Sequence, residues 1–155
     1  MTIFGTARAE PGDAVYELAE EIGGLLAKSG FTIANGGYGG TMLAAAKGAA
    51  GSGGETIGVT CTVFGRGGAN SYVSREVVTE TLDERLEMLV KLGAGFVVLP
   101  GGTGTLLELA MVWELKNKGF MEGRKPIILA GDFWKSLVDL IATDNGDSIA
   151  CVYRA

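Results

Sequence analysis

The chain has 155 residues and a formal net charge of −5; 47% of its residues are hydrophobic and 20% charged, enough apolar side chain for a buried core and too little positive charge for a nucleic-acid surface. The absence of histidine excludes Ser-His-Asp and Cys-His catalysis and His-ligated zinc. Cys61 and Cys151 form no CxxC pair, no apolar run approaches the roughly 20 residues that span a bilayer, and Met1 to Glu10 lack a signal-peptide core, so a soluble cytoplasmic protein with reduced thiols is expected.

Strand-like and helix-like segments alternate along the chain. Met1–Phe4 is a short apolar strand. Ala14–Ser29 is a helix, because Val15, Leu18, Ala19, Ile22, Leu25 and Leu26 recur at intervals of three and four, and Gly30 stands where a C-terminal cap belongs. Phe31–Ala34 is a strand, followed by the glycine loop Asn35–Gly40 and an alanine-rich helix, Thr41–Ala50. Glu55–Thr60 is the next strand. The glycine-rich stretch Gly65–Asn70 is expected to be the most mobile loop, and Ser74–Leu92 reads as one long helix.

Gly95–Leu99 is a continuous apolar strand, and Pro100–Thr105 turns into a helix over Leu106–Lys118. Pro126–Ala130 is a strand, Trp134–Ala142 a helix and Ile149–Tyr153 an edge segment. Strands that are apolar throughout and alternate with helices predict a doubly wound, Rossmann-like α/β fold: a parallel sheet with helices on both faces, one domain over 1–155.

Two glycine loops, Gly36–Gly40 and Gly101–Gly104, each follow a strand and precede a helix. Open α/β sheets bind ligands outside the carboxyl ends of their strands, where helix N-termini offer unpaired N–H groups. Both loops are therefore candidate phosphate or ribose cradles. Neither carries the GxGxxG of dinucleotide sites or the GKS/GKT of a P-loop.

Pro100-Gly101-Gly102-Thr103-Gly104-Thr105-Leu106-Leu107-Glu108 fits PGGxGTxxE without a mismatch. The chain resembles the Lonely Guy family of cytokinin-activating nucleotide phosphoribohydrolases, formerly labelled lysine decarboxylases. Phe4–Arg8, Asn35–Met42 and Gly53–Val59 resemble other family segments, so the likeness covers nearly the whole chain. The family's Arg-Lys pair precedes the motif's Pro by 15 residues, which lands here on Arg85, with Leu86 in place of the Lys.

The resemblance implies hydrolysis of the N-glycosidic bond of a nucleoside 5′-monophosphate, with Arg85 and Glu108 as catalytic residues and no metal or cofactor. It implies a substrate and phosphate site made of Gly36, Gly37, Gly40, Met42, Gly101, Gly102, Thr103, Gly104 and Thr105. Arg8, Arg66 and Arg75 are weaker phosphate candidates. Thr105 and Glu108 also have the Thr-x-x-Glu spacing of a capping box, a purely structural role. A non-catalytic nucleotide or molybdenum-cofactor carrier on the same fold is the alternative, favoured by Leu86 and by Tyr38 in the glycine loop. Excess apolar surface on Ser74–Leu92 and Leu106–Trp113 predicts a homodimer. No partnership with nucleic acid or membrane is expected.

Overall fold

The strands are short runs rich in β-branched and aromatic residues, and the central ones, Thr2–Phe4, Ile33–Asn35 and Phe96–Val98, are buried throughout. A computed structural model of the chain describes residues 1–144, 146 and 152–154; Cys151 and the first part of the expected edge segment lie outside the described residues. The strands are β1 (Thr2–Phe4), β2 (Ile33–Asn35), β3 (Thr56–Cys61), β4 (Arg75–Thr79), β5 (Phe96–Val98), β6 (Ile127–Leu129) and β7 (Val152–Arg154). The helices are α1 (Ala14–Lys28), α2 (Thr41–Gly51), α3 (Leu82–Leu92), α4 (Thr103–Asn117) and α5 (Lys135–Ala142). No helix among the described residues is long and apolar enough to cross a membrane.

All strand pairs are parallel, in the order β4-β3-β2-β1-β5-β6-β7. The chain winds outward from β1 to β4, then returns to lay β5 against the other side of β1, in register from Thr2↔Phe96 to Phe4↔Val98. The reversal leaves a crevice at the carboxyl ends of β1 and β5, the usual ligand position in such sheets.

Alternating side chains serve the two faces. Ile3 and Val97 join Tyr16, Ala19, Ala45 and Ala49 in the core under α1 and α2. Phe4, Phe96 and Val98 join Leu89, Leu109, Val112 and Val138 in the core under α3, α4 and α5. The first core is made of small residues because α1 and α2 cross closely: a Cβ on Gly48 would collide with the Glu20 carbonyl, and one on Gly23 with the backbone of Ala45.

The expected helix Ser74–Leu92 is two elements. Its apolar spacing suits a helix, but Val77-Val78-Thr79 is a β-branched run that pairs with Val59-Thr60-Cys61 as β4. The helix begins only after Thr81, whose hydroxyl accepts from the Glu84 N–H while the Glu84 carboxylate accepts from the Thr81 N–H, a capping box. Helix α4, in turn, begins at Thr103, three residues earlier than expected, with Gly102 as N-cap and no side-chain cap. Thr105 and Glu108 therefore lie inside the helix, and the capping box expected of them does not exist.

Candidate active site

The loops after β1, β2, β3 and β5 meet over the crevice, and buried polar side chains fix them. Asn35, fully buried at the end of β2, donates to the Met42 carbonyl at 2.9 Å and accepts from the Gly37 N–H at 2.8 Å, folding the glycine loop back on itself. Gly37 and Gly40 take φ of 77° and 65°, a region that favours glycine, and at Gly40 a Cβ would also strike the Thr6 carbonyl. The Thr41 N–H and hydroxyl both donate to that carbonyl, tying α2 to the turn after β1. Thr6 N–H donates to the Pro100 carbonyl at 3.1 Å, tying the same turn to the one after β5.

The stretch expected to be mobile is anchored at two points. Asn70 donates its side-chain amide to the Gly37 and Tyr38 carbonyls. Glu76 accepts from the Ala69 N–H at 2.9 Å and from the Thr60 hydroxyl at 2.7 Å.

These loops enclose a cleft of about 650 Å³. Met42, Arg85, Gly102, Thr103, Gly104, Thr105 and Glu108 line it, seven of the residues expected at the site. Gly36, Gly37, Gly40 and Gly101 stand behind this lining and shape it. Gly101 leaves room for the Thr105 hydroxyl, and Gly36 for the Arg85 guanidinium. At the mouth of α4, the N–H groups of Thr103, Gly104 and Thr105 have no partner among the described residues; the first internal bond of the helix is Leu106 N–H to the Gly102 carbonyl, 2.9 Å. Three free donors at the positive end of a 15-residue helix suit an anion.

Arg85 is a buried cation rather than a solvated helix charge, 7% exposed. Its Nε donates to the Val59 carbonyl at 2.9 Å, and its Nη1 reaches the Glu108 Oε1 at 3.5 Å. Burial pushes the Glu108 carboxyl up from 4.5 to about 7, and the attraction and hydrogen bond of Arg85 offset only part of that rise. A carboxyl poised near neutrality inside a cleft is suited to moving a proton.

Tyr38, Phe64, Arg8 and Arg66 also line the cleft. Arg8 and Arg66, weaker phosphate candidates from the sequence, thus reach the cleft, whereas nothing in the sequence singles out Phe64 or the loop-fixing Asn70. The local signal was slight: Phe64 sits on a short 3-10 turn, Thr62–Phe64, whose place beside β2 depends on strand order. Arg75 opens β4 and does not line the cleft. Trp113 and Trp134 are core residues, and Trp134 Nε1 donates to the Leu99 carbonyl at 3.1 Å. Cys61 is a buried free thiol.

Residues 42–150 match the family model described as "Possible lysine decarboxylase", the former label of the Lonely Guy family. The chain belongs to this family. A Mycobacterium tuberculosis protein named cytokinin riboside 5′-monophosphate phosphoribohydrolase is 36% identical over 134 residues, 85% of this chain and 70% of that protein. A protein of the same name from Rhodococcoides fascians is 30% identical over 146 residues, 91% of this chain and 73% of that protein. Among solved structures, a molybdenum cofactor binding protein from Rippkaea orientalis superposes with a TM-score of 0.78 at 27% identity, covering 99% of this chain and 86% of that one. Membership of the Lonely Guy family and the Rossmann-like fold, both expected from the sequence, are thus borne out.

Proposed function

We propose that the protein is a nucleoside 5′-monophosphate phosphoribohydrolase, which hydrolyses the N-glycosidic bond and releases free base and ribose 5-phosphate. The observation that carries this reading is the Arg85–Glu108 pair, buried in the cleft beside the free N–H groups of α4. The 5′-phosphate binds the amides of Thr103, Gly104 and Thr105. Gly102 and Thr105 shape that cradle, with Gly101 behind it, while Met42 lines the cleft with Gly36, Gly37 and Gly40 behind it. Glu108, titrating near neutrality, accepts a proton from water as the water oxygen bonds to the anomeric carbon. The electron pair of the breaking carbon–nitrogen bond leaves with the base, which takes up a proton. The ionised carboxylate also stabilises the oxocarbenium-like transition state. Arg85 holds the carboxylate in place and binds phosphate or ribose oxygens. Named relatives in the family support the substrate class.

Lysine decarboxylation is not supported. That chemistry needs a Schiff-base lysine in the site, and among the described residues no lysine lines the cleft.

The enzyme is further proposed to be a cytoplasmic homodimer. Within Ser74–Leu92, Leu86 and Leu89 are buried in the protein's own core, while Val78 and Leu82 stay exposed. Together with exposed Leu107, Leu140 and Ile141 on α4 and α5, they support the dimer.

Incubation of the pure protein with a panel of nucleoside 5′-monophosphates, with detection of free base and ribose 5-phosphate, tests the hydrolase. The carrier reading rests on the likeness to the Rippkaea protein over 99% of the chain and on Leu86. Tight binding without base release from any nucleotide decides for the carrier.

A further inference from the structure

With the phosphate at α4 and the reacting bond at Glu108, the base still lacks a place. The strand order sets β3 three spacings from β5, roughly 14 Å at the usual distance between neighbouring strands. That is the reach of an extended nucleotide, so a base directed away from α4 arrives at the turn after β3. There the wall of the cleft is Tyr38, Phe64 and Arg66.

Phe64 is 40% exposed. Tyr38 backs it, with ring centroids 6.2 Å apart and planes tilted by 56°. The Arg85 guanidinium lies over Phe64 at 5.4 Å, and that of Arg66 over Tyr38 at 5.2 Å. The Tyr38 hydroxyl is already committed: it accepts from the Cys61 N–H at 2.8 Å and donates to the Cys61 carbonyl at 3.2 Å. Its single proton is spent on the backbone, so it cannot donate to the edge of a base. Arg66, which has no ion pair among the described residues, can only donate, and every base offers an acceptor.

We infer that Phe64, held in place by Tyr38, is the base-stacking platform of the site, and that recognition by stacking makes the enzyme tolerant of the identity of the base. Every base has a π-face, so an aromatic platform binds without reading the edge. Edge readout by buried, otherwise unpaired polar groups rejects a wrong partner by about 10⁴-fold or more; the base end of this cleft is instead two rings and a guanidinium. Tyr38 acts through Phe64 and the β3 turn and is a positioning residue. The inference rests on the phosphoribohydrolase reading for the position of the phosphate.

The test compares dissociation constants of AMP, GMP, CMP, UMP and ribose 5-phosphate for the parent, Phe64→Ala and Phe64→Trp, alongside base release by the parent. Phe64→Ala is expected to weaken all four nucleotides about tenfold or more, the usual scale of base–aromatic stacking. It should leave ribose 5-phosphate, which has no base, unchanged, and Phe64→Trp should restore nucleotide binding. The four nucleotides should differ by less than about a hundredfold in the parent, well short of edge readout. Equal weakening of ribose 5-phosphate, or no weakening of any nucleotide, overturns the platform. A parent preference of about 10⁴-fold for one base overturns the tolerance. Binding as expected without base release by the parent overturns the hydrolase reading alone and leaves the stacking platform standing.

Discussion

Arg85 on α3 and Glu108 on α4 are 23 residues apart in the chain and meet at 3.5 Å inside the cleft. Their side chains are 8% and 12% exposed. The contact is long for a strong ion pair, and the carboxyl sits in a place where ionisation is costly. This combination keeps Glu108 available to exchange a proton instead of locking it as a structural anion.

Replacing Glu108 by Gln should therefore keep the fold and remove the chemistry. Gln matches Glu in size and in helix propensity, and position 108 carries no cap that the change could break. Base release is expected to fall at least about a hundredfold, the scale of a lost general base, with secondary structure by circular dichroism unchanged. Turnover close to that of the parent removes Glu108 from the mechanism.

The pH dependence follows from the sign of the Glu108 shift. Its folded-state pKa of about 7 lies above the ordinary 4.5, so folding favours the protonated carboxyl. The associated stability is fully present below about pH 4.5 and is lost as pH rises through 7, a contribution on the order of 3 kcal/mol. Denaturant unfolding from pH 4.5 to 8 should show this decline in the parent and its absence in Glu108→Gln. Base release by the parent should rise over the same window, with a midpoint near 7, as the carboxylate forms. A flat difference between the two proteins across that range contradicts the shift.

Gly36 lies under the Arg85 guanidinium, and a Cβ there would collide with it and approach the Met42 sulfur to 2.6 Å. Gly36→Ala is expected to displace Arg85 and cost about 1–3 kcal/mol of stability by overpacking. Base release should fall at least about tenfold, in line with the steep cost of misplaced groups in a site. Activity at the parent level with an unshifted melting temperature shows that Arg85 tolerates the displacement.

Gly48→Ala is the matching change away from the cleft. Alanine gains about 1 kcal/mol in helix propensity, but its Cβ would collide with the Glu20 carbonyl oxygen of α1, with the carbonyl carbon 2.8 Å away. Backbone cannot rotate aside as a side chain does, so the collision outweighs the propensity. A lower melting temperature with per-molecule turnover preserved is expected, and thermal melting with activity measured on the same sample checks it. A rise in melting temperature shows that α1 and α2 can separate at little cost.

Light scattering at micromolar concentration should report about twice the 16.0 kDa chain mass if the exposed apolar residues of α4 and α5 are covered by a second copy. Leu140→Lys, at a position 64% exposed, should shift the population to monomer. A monomeric parent ends the dimer proposal.

Local chemistry written in the sequence determined the alternation of strands and helices, the two glycine turns and the motif Pro100–Glu108. Apolar spacing, glycine placement and residue order are short-range signals, and they survive without knowledge of the fold. Spacing failed over 74–92, where a strand and a helix joined end to end mimic one helical period, and only pairing of Val77–Thr79 with β3 distinguishes them. The capping reading of Thr105 and Glu108 failed for a related reason: the spacing fits, but α4 starts about a turn earlier, at Thr103. What the tertiary structure alone decided is which distant residues share the cleft. The return of β5 to the side of β1 brings Glu108 to Arg85, and the pairing of β3 with β2 brings the turn with Phe64, and Asn70 beyond it, to the glycine loop. Burial then turns Arg85 from an ordinary helix charge into a fixed cation and lifts the Glu108 carboxyl toward neutrality, because desolvation depends on every surrounding element and not on the neighbours in sequence.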